Sequence, residues 1–389
     1  MKTDIEKQFQ KARALFPHTK NVVYFNSASY GPFSTDVQKV IEENIRIRMA
    51  CEYDDSHDTF QASEDLRKMY AALIGAKASQ IGIGLNTTHG LNVAAFGLPL
   101  NEGDEVLVSD IEFPAVVYTW RAAAERRKLK LTFVPSVAGG FSTEQLEKAI
   151  TKRTKVLSLS WVQFFNGYKN DLKALAKICK KHKIWFVVDG IQGMGVEPIN
   201  VRSLGIDIFT SGCQKWMLAP QGCGFFYLSD DVMKVIEYPF MSWLGVDWKM
   251  KFSDLFHYDR EYFKSARTFE MGYYVTLNLL AMRASAQLFA DLGIKNIQQH
   301  NYELIDELVK YLDNNPFYSV TSSREKKHRS SIMTFTCEKY RDLHALLVKN
   351  KIICVPREGS IRIAVHLFNN HKDIKRLIGF LDMFAGKHA

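Results

Sequence analysis

Apolar residues run in short blocks through the middle of the chain, separated by polar stretches with helical spacing. Ile81 to Leu85, Glu105 to Ser109, Lys130 to Pro135 and Lys155 to Ser160 read as strands, as do Ile184 to Val188, Ile206 to Thr210 and Gly224 to Leu228. Blocks so short and so continuously apolar suit strands covered on both faces. Between them the spacing predicts helices at Thr87 to Leu98, Pro114 to about Lys128, Ser142 to Ile150 and Asp171 to His182. Ser142 with Gln145 three residues on reads as a capping box, and Asp171 as an acidic cap. Seven strands alternating with helices and short loops indicate an α/β fold with a mostly parallel sheet. Such sheets hold ligands at the carboxyl ends of strands, where strand order reverses.

The pattern changes after residue 230. Tyr238 to Tyr262 is aromatic-rich with weak periodicity and reads as a long loop lining a cavity or an interface. Helices at Thr276 to Phe289, Ile297 to Asn314 and His371 to Phe384 then accompany strand-like pieces. Those pieces are Phe317 to Thr321, Ser331 to Thr336, Ile352 to Val355 and Ile361 to Ala364. The expected division is a large domain over 21–275 and a smaller α+β domain over 276–389. A charged helical segment, 1–20, packs on the small domain.

Composition adds exclusions. The 389 residues are 47% hydrophobic and 24% charged, as in ordinary globular chains. No apolar stretch is long enough for a bilayer, and the first 20 residues lack a signal-peptide core, so a cytoplasmic protein with no membrane partner is expected. The net charge of +9 is spread over short runs such as Arg126 to Lys128 and Arg324 to Arg329, which does not predict a nucleic-acid partner. Six cysteines lie scattered without metal or redox spacing, and no metal site is expected.

Three strand ends carry the candidate chemistry. Lys215 follows an apolar strand within Ser211–Gly212–Cys213–Gln214–Lys215–Trp216–Met217. Desolvation there lowers an amine pKa and makes it a nucleophile able to form an imine with an aldehyde cofactor; a solvated charge is the alternative. Asp189 closes Trp185–Phe186–Val187–Val188 and suits a ring nitrogen, or a helix cap. Gln192 lies three residues on and suits a phenolate oxygen. Thr87 and Thr88, within Asn86 to Asn92, sit at a helix start whose free N–H groups suit a phosphate. Phe113 stands before Pro114 at the same sheet edge, as core or as a stacking face. Arg362 lies inside a strand and needs an anionic partner, either a structural carboxylate or a substrate carboxylate. The glycine spacings of a nucleotide P-loop and of a dinucleotide fold are missing. Together these features call for a pyridine-ring aldehyde cofactor.

Asn86 to Asn92, Phe113, Asp189 to Gln192, Lys215 and Arg362 to Asn369 together resemble the class V aminotransferase family, from Tyr24 onward. That family is fold type I of the pyridoxal-phosphate enzymes. The resemblance implies pyridoxal 5'-phosphate on Lys215, Asp189 on the pyridine nitrogen and Gln192 on the phenolate oxygen. It implies Thr87 and Thr88 on the phosphate, Phe113 stacked on the ring, and Gln214 beside the cofactor. Arg362 and Asn26 would meet an amino-acid substrate. It also implies a homodimer, with Phe269–Glu270–Met271–Gly272 reaching the neighbouring subunit's phosphate site and Tyr273 as the hydroxyl residue that follows. Phe113, Gln214 and Phe164 depart from the desulfurase pattern of His, His and Asn, and Cys354 is the one candidate sulfur nucleophile. Those departures place the chain nearest the isopenicillin-N-epimerase-like branch. Aminotransfer is the expected reaction, because it needs no second acid or special leaving group; a lyase or an epimerase is the alternative. His89, His366, Tyr30 and Tyr273 are the candidate second acids.

Overall fold

The computed structural model describes residues 2–52, 55–249 and 252–388. The chain opens with α1 (Lys2–Ala14), the short strand β1 (Val23–Tyr24), α2 (Thr35–Met49) and α3 (Asp55–Ile74). The alternating region begins with β2 (Ile81–Gly84), α4 (Thr87–Gly97), β3 (Glu105–Ser109), α5 (Pro114–Arg127), β4 (Lys130–Val134) and α6 (Thr143–Ala149). It continues with β5 (Thr154–Ser160), α7 (Leu172–His182), β6 (Trp185–Asp189), α8 (Val201–Leu204), β7 (Ile208–Gly212) and β8 (Gly224–Leu228). After α9 (Asp230–Val235) comes the expected long loop, whose described residues form short 3-10 turns and a Val246–Tyr262 bridge. The rest is α10 (Thr276–Leu292), α11 (Ile294–Asp313), β9 (Ser319–Val320), β10 (Ile332–Thr336) and α12 (Tyr340–Lys349). It closes with β11 (Ile352–Ile353), β12 (Val355–Arg357), β13 (Ser360–Ala364) and α13 (His371–His388).

The seven-stranded sheet has the order β2-β8-β7-β6-β5-β3-β4. Strands β4 through β7 run parallel with β3, and β8 is antiparallel to both its neighbours. Strand alternation explains the continuous apolar runs. Val106 and Val108 of β3 join one core cluster and Leu107 the other; Val187 and Phe186 of β6 divide likewise. Helices α4 and α5 cover the first face, through Leu91, Val93 and Trp120. The opposite face is covered by α3, α7 and α10, through Leu66, Tyr70, Leu175 and Met282. The strand order reverses between β3 and β5, which opens a crevice at their carboxyl ends.

Several expected boundaries move, each for a local reason. The strand expected at Ile206 to Thr210 is displaced to Ile208–Gly212. Gly205 at φ 73° ends α8, and Asp207 turns its carboxylate to the Phe186 N–H. Ser142 caps α6 by accepting from Glu144 N, with no reciprocal bond from Gln145. The expected strand Ile352 to Val355 breaks at Cys354. Its first half pairs with β1 and its second with β13. Helices α2 and α3 lie where the hydrophobic pattern had suggested no element.

A third core gathers Leu304, Ile305, Phe335, Leu347, Ile363 and Leu377, together with Val23 and Phe25 from near the start of the chain. Helix α10 instead contributes Leu279, Met282, Ala286 and Phe289 to the larger core, where it packs on α2 and α3. By packing, α10 therefore goes with the residues before 276 and β1 with those after. Helix α1 lies across the seam. Phe9 stacks on His300 of α11 at 4.1 Å, and Arg13 pairs with Asp373 at 2.7 Å.

Candidate active site

The crevice collects the ends of β3, β5, β6 and β7. Lys215 sits three residues beyond β7, in a turn that other backbone groups brace. Cys213 N–H bonds Cys223 O at 3.0 Å, and Gly31 N–H bonds Gln214 O at 2.8 Å. Gly31 runs so close that a Cβ there would lie 2.3 Å from Lys215 O. Lys215 Nζ stands 5.4 Å from the centroid of the Phe113 ring. Burial pulls its amine down to about 8; Asp189 opposes this, and Arg362 and Arg357 add to it.

Asp189 ends β6 beside Ser160 of β5 and Thr210 of β7. Burial pushes its carboxyl up to about 6, against the Ile191 N–H at 2.9 Å and the Lys215 charge. Among the described residues no cation bonds it, so its other oxygen is left for a ring nitrogen. The helix-cap alternative fails, because the residues after Asp189 form a turn rather than a helix. Gln192 takes the Trp216 Nε1–H on its oxygen at 2.8 Å and donates to Ala28 O at 3.1 Å. One amide hydrogen remains for a ligand.

Phe113 caps α5 and is partly exposed, with its ring edge-on to Phe164 at 5.2 Å. It is therefore a cavity face and not core. At the start of α4, Asn86 accepts from His89 N–H, which leaves the N–H groups of Thr87 and Thr88 outside the helical ladder. The Thr87 hydroxyl accepts from Gly212 N–H at 2.8 Å, tying this helix start to the end of β7. Gly90 allows that approach: a Cβ there would meet Thr210 Oγ1 at 2.4 Å.

Arg362, on β13, is 2% exposed and, among the described residues, donates only to neutral oxygens, Phe164 O at 2.5 Å and Ser29 Oγ at 2.8 Å. Its Nε has no partner. Burial and Arg357 lower its pKa to about 9. The structural salt bridge that the sequence allowed is therefore not made, and an anion from outside is called for. Asn26, bridged to Ala364, and Gln214 also bury side-chain oxygens without partners. The orphaned Arg362 Nε donor and the two amide-oxygen acceptors lie in the segments that carry Lys215 and face Asp189 and the α4 N-terminus, and this mix of groups fits a pyridine aldehyde bearing a phosphate.

A family model described as aminotransferase class-V matches residues 49–377. The chain belongs to the aminotransferase class-V family. It is accordingly a pyridoxal-phosphate-dependent enzyme of amino-acid chemistry. An uncharacterized aminotransferase of Bacillus subtilis, YcbU, is 25% identical over 369 residues, 95% of this chain and 96% of that one. A probable cysteine desulfurase of Methanothermobacter thermautotrophicus is 24% identical over 404 residues, 97% and 98% of the two chains. The apo structure of a cysteine desulfurase from Thermococcus onnurineus NA1 superimposes with a TM-score of 0.86 at 21% identity, over 97% and 98% of the two chains. That last likeness is one of fold, the pyridoxal-phosphate transferase fold type I.

Several class-V candidates turn out to be committed elsewhere. His366 accepts from Leu367 N–H on Nδ1, so its proton sits on Nε2 and goes to Trp216 O at 2.8 Å. Burial lowers its pKa to about 3. His89 is held the same way, by Leu85 N–H on Nδ1 and Phe269 O on Nε2, and burial lowers it too. Asn369 braces His366 N–H and Tyr24 O. Cys354 is buried in the small core, which pushes its thiol up to about 12. Within the expected inter-subunit turn, Glu270 points inward: its carboxylate takes Arg67 and the Ile83 N–H. Phe269 is buried as well, whereas Met271 and Tyr273 face outward.

Glu112 was not anticipated from the sequence. It is buried below Asp189 and takes Ser160 N–H at 2.9 Å, Ser160 Oγ–H at 2.5 Å and Gln163 Nε2–H at 2.9 Å. Burial raises its carboxyl to about 7, and the Asp189 charge adds to that. An acid directly before the aromatic Phe113 was the available signal.

Proposed function

We propose that the chain is an aminotransferase, moving an amino group between an amino acid and a keto acid. The carrying observation is that Lys215 combines a lowered pKa with an Nζ that no described residue bonds. His89 and His366 spend both ring nitrogens on backbone groups. One-face proton transfer by a single amine is what aminotransfer requires. Bound pyridoxal phosphate supplies the electron sink for charge at the substrate α-carbon.

The chain's residues divide the remaining work. Asp189 would pair with the ring nitrogen, and Phe113 would lie against the ring. Gln192 donates to the phenolate oxygen. Thr87, Thr88 and the free N–H groups of α4 hold the phosphate. Arg362 grips the substrate α-carboxylate in a fork and so fixes which α-bond faces the ring. Lys215 Nζ would take the proton from the substrate α-carbon and hold it on one face.

A lyase or epimerase is the second reading, and Tyr30 is the residue that favours it. Its ring is 54% exposed, on the segment whose Gly31 bonds the backbone beside Lys215. Desulfuration is disfavoured by the burial of Cys354. We further infer a homodimer, because Trp243, Met271, Tyr273 and Val275 present a partly exposed apolar face near the start of α4. A cytoplasmic location is inferred from six unpaired cysteines.

The deciding experiment follows the holoenzyme's cofactor spectrum with single amino acids, with and without a keto acid. Conversion to the amine form that only a keto acid reverses supports aminotransfer. Return without keto acid while product accumulates, abolished in Tyr30→Phe, would establish the second reading.

A further inference from the structure

Two arginines share one face of the β12–β13 hairpin. In its antiparallel register Val355 faces Arg362, and Arg357 faces Ser360. Side chains two apart on a strand point the same way, so Arg357 and Arg362 stand on the same face as diagonal neighbours. Such diagonal neighbours lie about 7–8 Å apart, with their Cβ atoms somewhat closer. Each guanidinium repels the other and both repel Lys215. Like charges across a hairpin are destabilising, and a nearby carboxylate normally offsets them. Here none does. Among the described residues Arg362 donates only to Phe164 O and Ser29 Oγ, and Arg357 only to Pro356 O. The Nε of Arg362 is buried without a partner.

A single α-carboxylate neutralises the buried Arg362 and leaves the half-exposed Arg357 with no ionic partner among the described residues. We propose that the substrate bears a second anion, an acidic side chain that Arg357 binds while Arg362 holds the α-carboxylate. The substrate class is then the dicarboxylic amino acids and their keto acids, of aspartate or glutamate length. This assignment rests on the amino-acid site above, with Arg362 at its carboxylate end.

The test separates this proposal from the reaction type by using ligands that cannot react. Calorimetry on purified holoenzyme would compare succinate and glutarate with butyrate. The expected result is that one or both diacids bind about 10- to 100-fold more tightly, the scale of one added charged hydrogen-bonded pair. In Arg357→Gln that preference should collapse, and in Arg357→Lys it should survive in part, because a point charge replaces a fork. Equal affinity for diacids and butyrate would overturn the proposal. So would a diacid preference that persists undiminished in Arg357→Gln. A diacid preference in an enzyme that proves to be a lyase would leave this inference standing and refute aminotransfer. A second set of measurements compares kcat/KM for glutamate with glutamine and aspartate with asparagine. Arg357→Gln should reduce the acid-to-amide ratio by at least about 10-fold.

Discussion

Capture of the cofactor by the apoprotein should titrate with the Lys215 amine, near pH 8. Only the neutral amine attacks an aldehyde. Burial moves this lysine from 10.5 to about 8, so the neutral fraction at pH 7 rises from about 0.03% to about 9%, roughly 300-fold. Stopped-flow absorbance of apoprotein mixed with pyridoxal phosphate, from pH 6 to 10, reads that fraction as a rate. Two substitutions should move the midpoint in opposite directions. Asp189→Asn removes the anion that favours the ammonium, so the midpoint falls. Arg362→Gln removes a repelling cation, so it rises. Each shift should be about one unit, as for a neighbouring charge at a partly desolvated site.

The same group should leave a mark on folding. Below about pH 8 the folded apoprotein holds a poorly solvated ammonium, and the unfolded chain holds a solvated one. Between about 8 and 10.5 the unfolded chain binds the extra proton, so this group's contribution to stability rises with pH. Lys215→Met apoprotein should therefore be more stable than the parent at pH 7, by about 1–3 kcal/mol, and lose that advantage above about pH 10. Urea unfolding at several pH values measures it. A capture profile inflecting near 10, or both charge variants shifting it the same way, would refute the electrostatic picture of the site.

Other outcomes follow from single contacts. Glu112→Ala strands the Ser160 and Gln163 donors and should cost about 2–3 kcal/mol in urea unfolding. Because burial raises Glu112 to about 7, that deficit should be largest below about pH 4.5 and shrink as pH rises through 7. Gly31→Ala drives a Cβ into Lys215 O and Leu218, so cofactor capture should slow by at least about 10-fold, with lower stability. Cys354→Ser should change turnover by less than about twofold, and the parent should release little sulfide from cysteine. Rapid sulfide release that the substitution abolishes would contradict the burial argument.

The sheet was legible because all its strands except the edge strand β4 are buried on both faces, and Val106–Leu107–Val108 shows why. Neighbours serve opposite cores, so no polar face interrupts the run. Helices α2 and α3 gave no comparable signal. Both are rich in charged and polar residues, and α3 takes much of its packing from α10, over 200 residues away in sequence. Lys215 and Asp189 could be read because a charge at the end of an apolar strand is costly unless used. His89 and His366 could not be ranked, since a tautomer depends on backbone groups from distant segments. Glu112 was hidden for a similar reason: its donors come from the last residue of β5, Ser160, and from Gln163 in the turn that follows, some 50 residues on.

Arg362 shows where sequence reasoning stops and geometry takes over. Inside a strand it implied an anion, and the sequence supplied several acids that could have met it. The hairpin register places Arg357 beside Arg362, and among the described residues only neutral oxygens take hydrogen bonds from Arg362. A buried cation left in this state lowers the stability of the empty protein, and a ligand anion recovers the loss. The site is thus destabilised where it must bind. For this reason the carboxylate end of the substrate, more than the cofactor end that class-V enzymes share, should decide what this enzyme accepts.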